Sequence, residues 1–168
     1  MKLPFGLTAL DLGTILARWI LGGLFVYMGM VKALEPVHFL KMLHEYQIVD
    51  NHLALNCIAA ALPWFEVFCG MLLLAGIAVR GTAMLIAGML AVFTFVVLHR
   101  ALGIQAAEAI PFCSVKFDCG CGGGAEFICA KLPENTGMFI LSVWLLAGRG
   151  RAFSALYSLR DSGTNRLD

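Results

Sequence analysis

The chain has 168 residues, of which 60% are hydrophobic and only 14% charged. Soluble domains carry about 25% charged residues, so the polar surface is too small to cover a water-facing exterior, and at a mean hydropathy of +0.85 lipid is the expected solvent. A formal net charge of +1 with no cluster of Lys or Arg gives no footprint for nucleic acid, and one domain is expected at this length.

The first apolar run, "DLGTILARWILGGLFVYMGMVK" from Asp11 to Lys32, reaches the roughly 20 residues that a hydrocarbon core requires. It has neither the basic start nor the small-residue cleavage site of a removed signal peptide. Within it Arg18, Gly22, Phe25, Gly29 and Lys32 fall at helical spacing and share one stripe. The glycines on that stripe admit close approach of a second helix. A long loop follows, carrying His38, His44 and His52; no two of them stand three or four residues apart, the spacing that makes neighbours on one helical face, which argues against a metal or haem site built from them.

The second span runs from Leu53 to Val79 and holds Glu66 near its middle, with Cys69 and Gly70 on the same face. A carboxylate at that depth costs at least ~2.5 kcal/mol unless it is protonated or paired. Arg18 or Lys32 on a packed neighbour are its candidate partners. Alternatively, both cations reach the two interfaces and Glu66 stays protonated in a structural hydrogen bond. Cys57 and Cys69 read as small packing residues. Arg80 and Gly81 are expected to break the chain before a third span, about residues 82–98, closed by His99 and Arg100. His99 is either an interfacial anchor or a group that protonates a thiolate or holds a quinone carbonyl.

Between spans three and four lies "FCSVKFDCGCGGGAEFICAKLPEN", with Cys113, Cys119, Cys121 and Cys129. Cys119 and Cys121 are separated by one glycine, and a pair so close closes a small strained ring that suits exchange better than stapling. Cys113 and Cys129 could resolve a mixed disulfide or form a supporting bridge. Lys116 and Lys131 would favour an attacking thiolate. The rival chemistries are a four-thiolate metal site, although the spacing lacks paired C-x2-C knuckles, and two disulfides tying an outer loop.

The fourth span is expected over residues 133–147, and the polar segment 151–168 forms a tail beyond a membrane domain of residues 1–150. Four spans place both termini and Arg80 on one side with Lys2, Arg149, Arg151, Arg160 and Arg166, against Lys32, Lys41, Arg100, Lys116 and Lys131 on the other. That bias favours cytoplasmic termini and an outward, periplasmic cysteine loop, on the oxidising side of a bacterial membrane.

The order of features, an Arg in span one, "GMVKAL" at its end, "LPWFEVFCGMLLLAG" in span two, "HRALG" after span three and D-C-G-C-G before span four, resembles the DoxX/MauE family, in its MauE-like redox-associated branch, over about Leu12 to Gly148. The resemblance implies an all-α, four-helix bundle in the bacterial inner membrane with a Cys/Gly-rich loop between helices three and four. It implies a part in disulfide formation beside a thioredoxin-like partner. By position it carries the family's cysteine pair onto Cys119 and Cys121 and its charged span residues onto Arg18, Lys32 and Glu66. Gly122 stands where the family pattern has Phe. The expected function is a thiol–disulfide relay between such a partner and the membrane, with electrons passing to a quinone near Glu66, His99 and Trp64, although Trp64 and Phe65 read equally as lipid-facing or core aromatics. A non-catalytic scaffold for a redox enzyme and a thiolate metal-binding protein are the alternatives.

Overall fold

The computed structural model describes residues 9–46, 51–118 and 124–147. In chain order these form α1 (Ala9–Leu34), α2 (Pro36–Glu45), α3 (His52–Ala75), α4 (Val79–Glu108), a 3-10 turn (Phe112–Ser114), strands β1 (Lys116–Asp118) and β2 (Ala125–Phe127), and α5 (Ile128–Ala147). Segment 151–168, expected to be a polar tail, lies outside the described residues.

Three of these helices, α1 over Leu12–Leu34, α3 and α4, are long and apolar enough to cross a membrane. Their outer faces carry Trp19, Trp64, Met84, Val92 and Phe95, all more than half exposed, the surface that lipid rather than water would cover. The chain is a membrane protein built on helices. The expected fourth span corresponds to α5, whose first two turns hold Lys131, Pro133, Glu134 and Asn135 and lower its apolar character.

Four expectations about boundaries change. Residues 36–45, expected to be loop, form α2, an amphipathic helix started by Pro36 at its first position and burying Phe39 and Met42 against Ala59 of α3. Arg80 and Gly81 do not break the chain; they lie in the first turn of α4. The break falls earlier, where Gly76 takes the left-handed conformation at φ 73° and ends α3 by accepting geometry that disfavours other residues. His99 and Arg100 do not close the third span, because α4 continues to Glu108. Finally, α5 begins at Ile128, five residues before Pro133; one proline removes a single backbone hydrogen bond, and the packed first turn tolerates it.

The closest packing is between α1 and α3. A Cβ on Gly29 would lie 2.7 Å from the carbonyl oxygen of Pro63, and one on Gly70 would lie 2.7 Å from that of Gly22. Those contacts are with backbone, which cannot move aside, so glycine at these positions lets the helices touch. The core continues from Leu21, Phe25 and Leu73 across Ile86 and Val97 of α4. It extends outward to Val115 and Ile128, both buried at the base of the hairpin.

Candidate functional site

The polar stripe of α1 faces α3 along its length. At one end Lys32 Nζ donates to Glu66 Oε1 at 2.6 Å and to Oε2 at 2.7 Å, and both residues are buried. Lys32 thus meets Glu66 rather than running to an interface and leaving a protonated Glu66 to another hydrogen bond: a lone charge in hydrocarbon is costly, and the pairing offsets that cost. Phe39 and Phe93 flank the ammonium at 5.6 and 5.8 Å from their ring centroids, adding cation–π attraction in a dry setting. At the other end Arg18 Nε donates to the carbonyl of Leu73 at 3.1 Å and Nη2 to that of Leu74 at 3.5 Å. Those carbonyls belong to the last turn of α3, where the exposed carbonyl end of the helix favours a cation; that of Leu73 also accepts from Gly76 N at 3.1 Å. Arg18 and Lys32 are 14 residues apart, about 21 Å along the helix.

The Lys32–Glu66 pair borders a cavity of about 530 Å³ between the helices, within the range of small-molecule sites. All five helices contribute to it: Phe25 and Met28 from α1, Phe39 and Met42 from α2, Glu66 from α3, Met89 and Phe93 from α4, and Asn135 from α5. Arg18, His99 and Trp64 are not among its lining residues. His99 is exposed on the outer face of α4, with its ring beside Phe95 at 6.5 Å. Trp64 is 62% exposed. Of the three residues expected around a quinone, Glu66 lines the cavity with its partner Lys32, whereas His99 and Trp64 face outward.

Asn135 was not singled out by the sequence. It is 1% exposed, and neither its amide nitrogen nor its oxygen has a hydrogen-bond partner among the described residues. The signal lay in the spacing: Lys131, Asn135, Met138, Ser142 and Leu145 recur at 4, 3, 4 and 3 and form the buried stripe of α5, while Phe139, Ile140, Val143 and Trp144 face outward. A helix with its polar side inward is the arrangement lipid imposes.

The cysteine segment folds as a clamped hairpin. Cys113 and Cys129 are joined by a disulfide across 16 residues, with their Cα atoms 5.1 Å apart. Inside that bridge β1 and β2 pair antiparallel, Lys116 with Phe127, Phe117 with Glu126 and Asp118 with Ala125. Cys119 and Cys121, on the segment that joins the strands, lie outside the described residues. The bridge uses two of the four thiolates that a metal site would need. Lys131, expected to favour a thiolate, is buried and held by Glu134 at 2.6 Å and Glu126 at 3.5 Å. Lys116 Nζ instead rests over the Phe127 ring at 5.5 Å. Cys69 is buried as a packing residue should be, whereas Cys57, expected to pack likewise, is exposed on α3.

The hairpin touches α2 and the residue that caps it. Asp118 Oδ2 lies 3.7 Å from His38 Nε2 of α2, and Phe117 meets Tyr46, the cap, edge to face at 6.4 Å. A second, more polar pocket of about 290 Å³ is lined by Glu35, His38, Asp118 and Gly124 and shares Lys32, Phe39 and Met42 with the larger cavity. Asp118 and Gly124 bracket the cysteine-bearing segment. Lys32 of the buried ion pair and Asp118 and Gly124 of the hairpin thus line one pocket.

A family model described as methylamine utilisation protein MauE matches residues 10–148, most of the chain and all of the elements just described apart from the first residue of α1. No curated protein and no solved structure shows a significant match.

Proposed function

We propose that this chain, which belongs to the MauE family of membrane proteins, is a thiol–disulfide relay at the outer face of the bacterial inner membrane. In this reading α5 is the fourth span, supported by its inward polar stripe and outward Ile140, Val143 and Trp144. The hairpin then lies at the end of the bundle opposite the α3–α4 turn with Arg80, facing the periplasm, with the termini cytoplasmic.

The observation that carries the reading is the Cys113–Cys129 bridge. It occupies the two outer cysteines and leaves Cys119 and Cys121 as a separate pair on a hairpin whose base is buried in the bundle. A structural bridge around an exchanging pair holds the pair's backbone in place while its own sulfurs stay out of the chemistry. The relay begins with a Cys119–Cys121 disulfide. A thiolate of a thioredoxin-like partner attacks one sulfur, forming a mixed disulfide and releasing the other as a thiol. The partner's second thiol then attacks the mixed disulfide, so the partner leaves oxidised and Cys119 and Cys121 remain as a dithiol. The matched family's description directs the partner search to proteins of methylamine utilisation.

The test is to remove the partner's resolving thiol and look for a trapped complex. With the second cysteine of the thioredoxin-like partner replaced by serine, the wild-type chain is expected to accumulate a reducible covalent complex, because the partner has no thiol left to resolve the mixed disulfide. The Cys119→Ser, Cys121→Ser double variant is expected to accumulate none and to lose oxidation of the intact partner. Full activity in the double variant would favour the scaffold reading.

A further inference from the structure

We propose that the cavity between the five helices is a binding site for a membrane quinone, with the carbonyl-bearing ring held at Asn135 and the Lys32–Glu66 pair. Three observations select that chemistry. The walls are apolar and adaptable, with Phe25, Phe39 and Phe93 to lie against a flat ring and Met28, Met42 and Met89 to adjust around it. The charged groups that line it, Lys32 and Glu66, neutralise each other, so the lining offers no surplus positive charge for the phosphate of a lipid headgroup, and a neutral head is favoured. Asn135 presents an amide donor and an amide acceptor, both buried and neither engaged by another described residue.

The amide is what makes the fit specific. A quinone carbonyl accepts from Asn135 Nδ2, and the quinol hydroxyl that replaces it donates to Oδ1, so one side chain serves both redox states. An unmade hydrogen bond at a buried amide is costly, and a ligand with a polar oxygen at that point removes the cost. A hydrocarbon tail alone would not.

The electron-accepting role of this site rests on the relay reading, whereas binding does not. In that role the Cys119–Cys121 dithiol loses two electrons and two protons to become a disulfide, and the quinone gains both pairs to become quinol. The smaller pocket is lined by Asp118 and Gly124 of the hairpin and shares Lys32, Phe39 and Met42 with the ring site.

The experiment titrates decylubiquinone into the full chain in phospholipid nanodiscs and counts bound quinone by native mass spectrometry. One saturable equivalent is expected, against the large excess of phospholipid. Asn135→Leu is expected to weaken binding at least tenfold. Gly88→Phe gives an independent variant: Gly88 lines the cavity, and a Cβ there meets nothing within 4 Å, so a bulky side chain starts without a clash, and by narrowing the cavity it is expected to weaken binding at least tenfold. The Cys119→Ser, Cys121→Ser variant is expected to bind as the wild type does and to fail to reduce quinone after dithiothreitol treatment and desalting. Phospholipid in place of quinone, no saturable binding by the wild type, or binding unchanged in both cavity variants would each overturn the site. Normal binding by the wild type with no cysteine-dependent quinol formation would overturn the relay's use of it while leaving the site standing.

Discussion

Lys32 Nζ lies within hydrogen-bond distance of both carboxylate oxygens of Glu66, at 2.6 and 2.7 Å, with the two side chains 5% and 8% exposed. The pair joins α1 to α3 beside the central cavity. Breaking it from one side leaves the other charge buried without a partner, which costs about 3–5 kcal/mol in buried pairs of soluble proteins. Lys32→Met alone is expected to lower the unfolding temperature of the detergent-solubilised protein sharply. The double variant Lys32→Met, Glu66→Leu is expected to recover most of the loss, because it removes both charges. Equal losses in single and double variants, read by thermal unfolding, would show that the pair contributes nothing as a pair.

The glycine contacts between α1 and α3 make a second prediction. Gly29→Ala and Gly70→Ala each place a methyl 2.7 Å from a backbone carbonyl, and the helices must separate along a seam that also carries the ion pair. Both variants are expected to destabilise the protein by at least ~1–3 kcal/mol, the range of overpacked cores. Gly23→Ala is the control: it lies on the same helix, and its Cβ meets nothing within 4 Å. There alanine is expected to be neutral or to stabilise by about 0.5–1 kcal/mol through helix propensity. Urea titration in detergent distinguishes the three.

The Cys113–Cys129 bridge closes a loop of 16 residues, for which the chain-entropy account gives about 3 kcal/mol. Cys113→Ser, Cys129→Ser is expected to loosen the hairpin rather than unfold the bundle, since Val115 and Ile128 remain buried beneath it. Hydrogen exchange should quicken at residues 116–118 and 125–127 and stay slow in α1 and α3. Partner oxidation should fall in rate without disappearing. Complete loss of activity together with a well-folded bundle would mean that these sulfurs take part in exchange themselves.

Asp118 and His38 supply a fourth prediction. Their 3.7 Å contact is partly exposed and worth at most about 1 kcal/mol, so His38→Ala should hardly change global stability. Its expected effect is local: with this contact to α2 removed, β1 should exchange faster while the Cys113–Cys129 bridge remains intact. Peptide-level hydrogen exchange checks this, and unchanged protection of β1 would contradict it.

Much of the α1–α3 unit was legible because its periodicity is strong. Arg18, Gly22, Phe25, Gly29 and Lys32 define a face at fixed helical spacing, and small residues on such a face have one physical use in lipid. Glu66 was legible for the same reason, as a charge too deep to be left alone. What the sequence concealed depends on tertiary contact. The hairpin strands are three residues each, too short for alternation to be visible, and they form because Val115 and Ile128 anchor their ends. α2 is short and mixed in polarity, and its helical character shows in the burial of Phe39 and Met42 against α3. Asn135 was hidden by Pro133, which suggested a helix start and drew attention away from the polar stripe running through it. For His99 and Trp64, position along the chain fixes depth in the bundle but not the side of the helix, and packing puts both on the outer, exposed side.

The most direct test of the relay is the redox state of Cys119 and Cys121 in intact cells, read by differential alkylation and mass spectrometry before and after a brief reductant pulse. The account predicts a pair that is largely oxidised at rest, opens during the pulse and closes again afterwards, while Cys113 and Cys129 remain joined throughout. A 119–121 pair that never changes state, or sits permanently reduced while partner proteins are still oxidised, would contradict it.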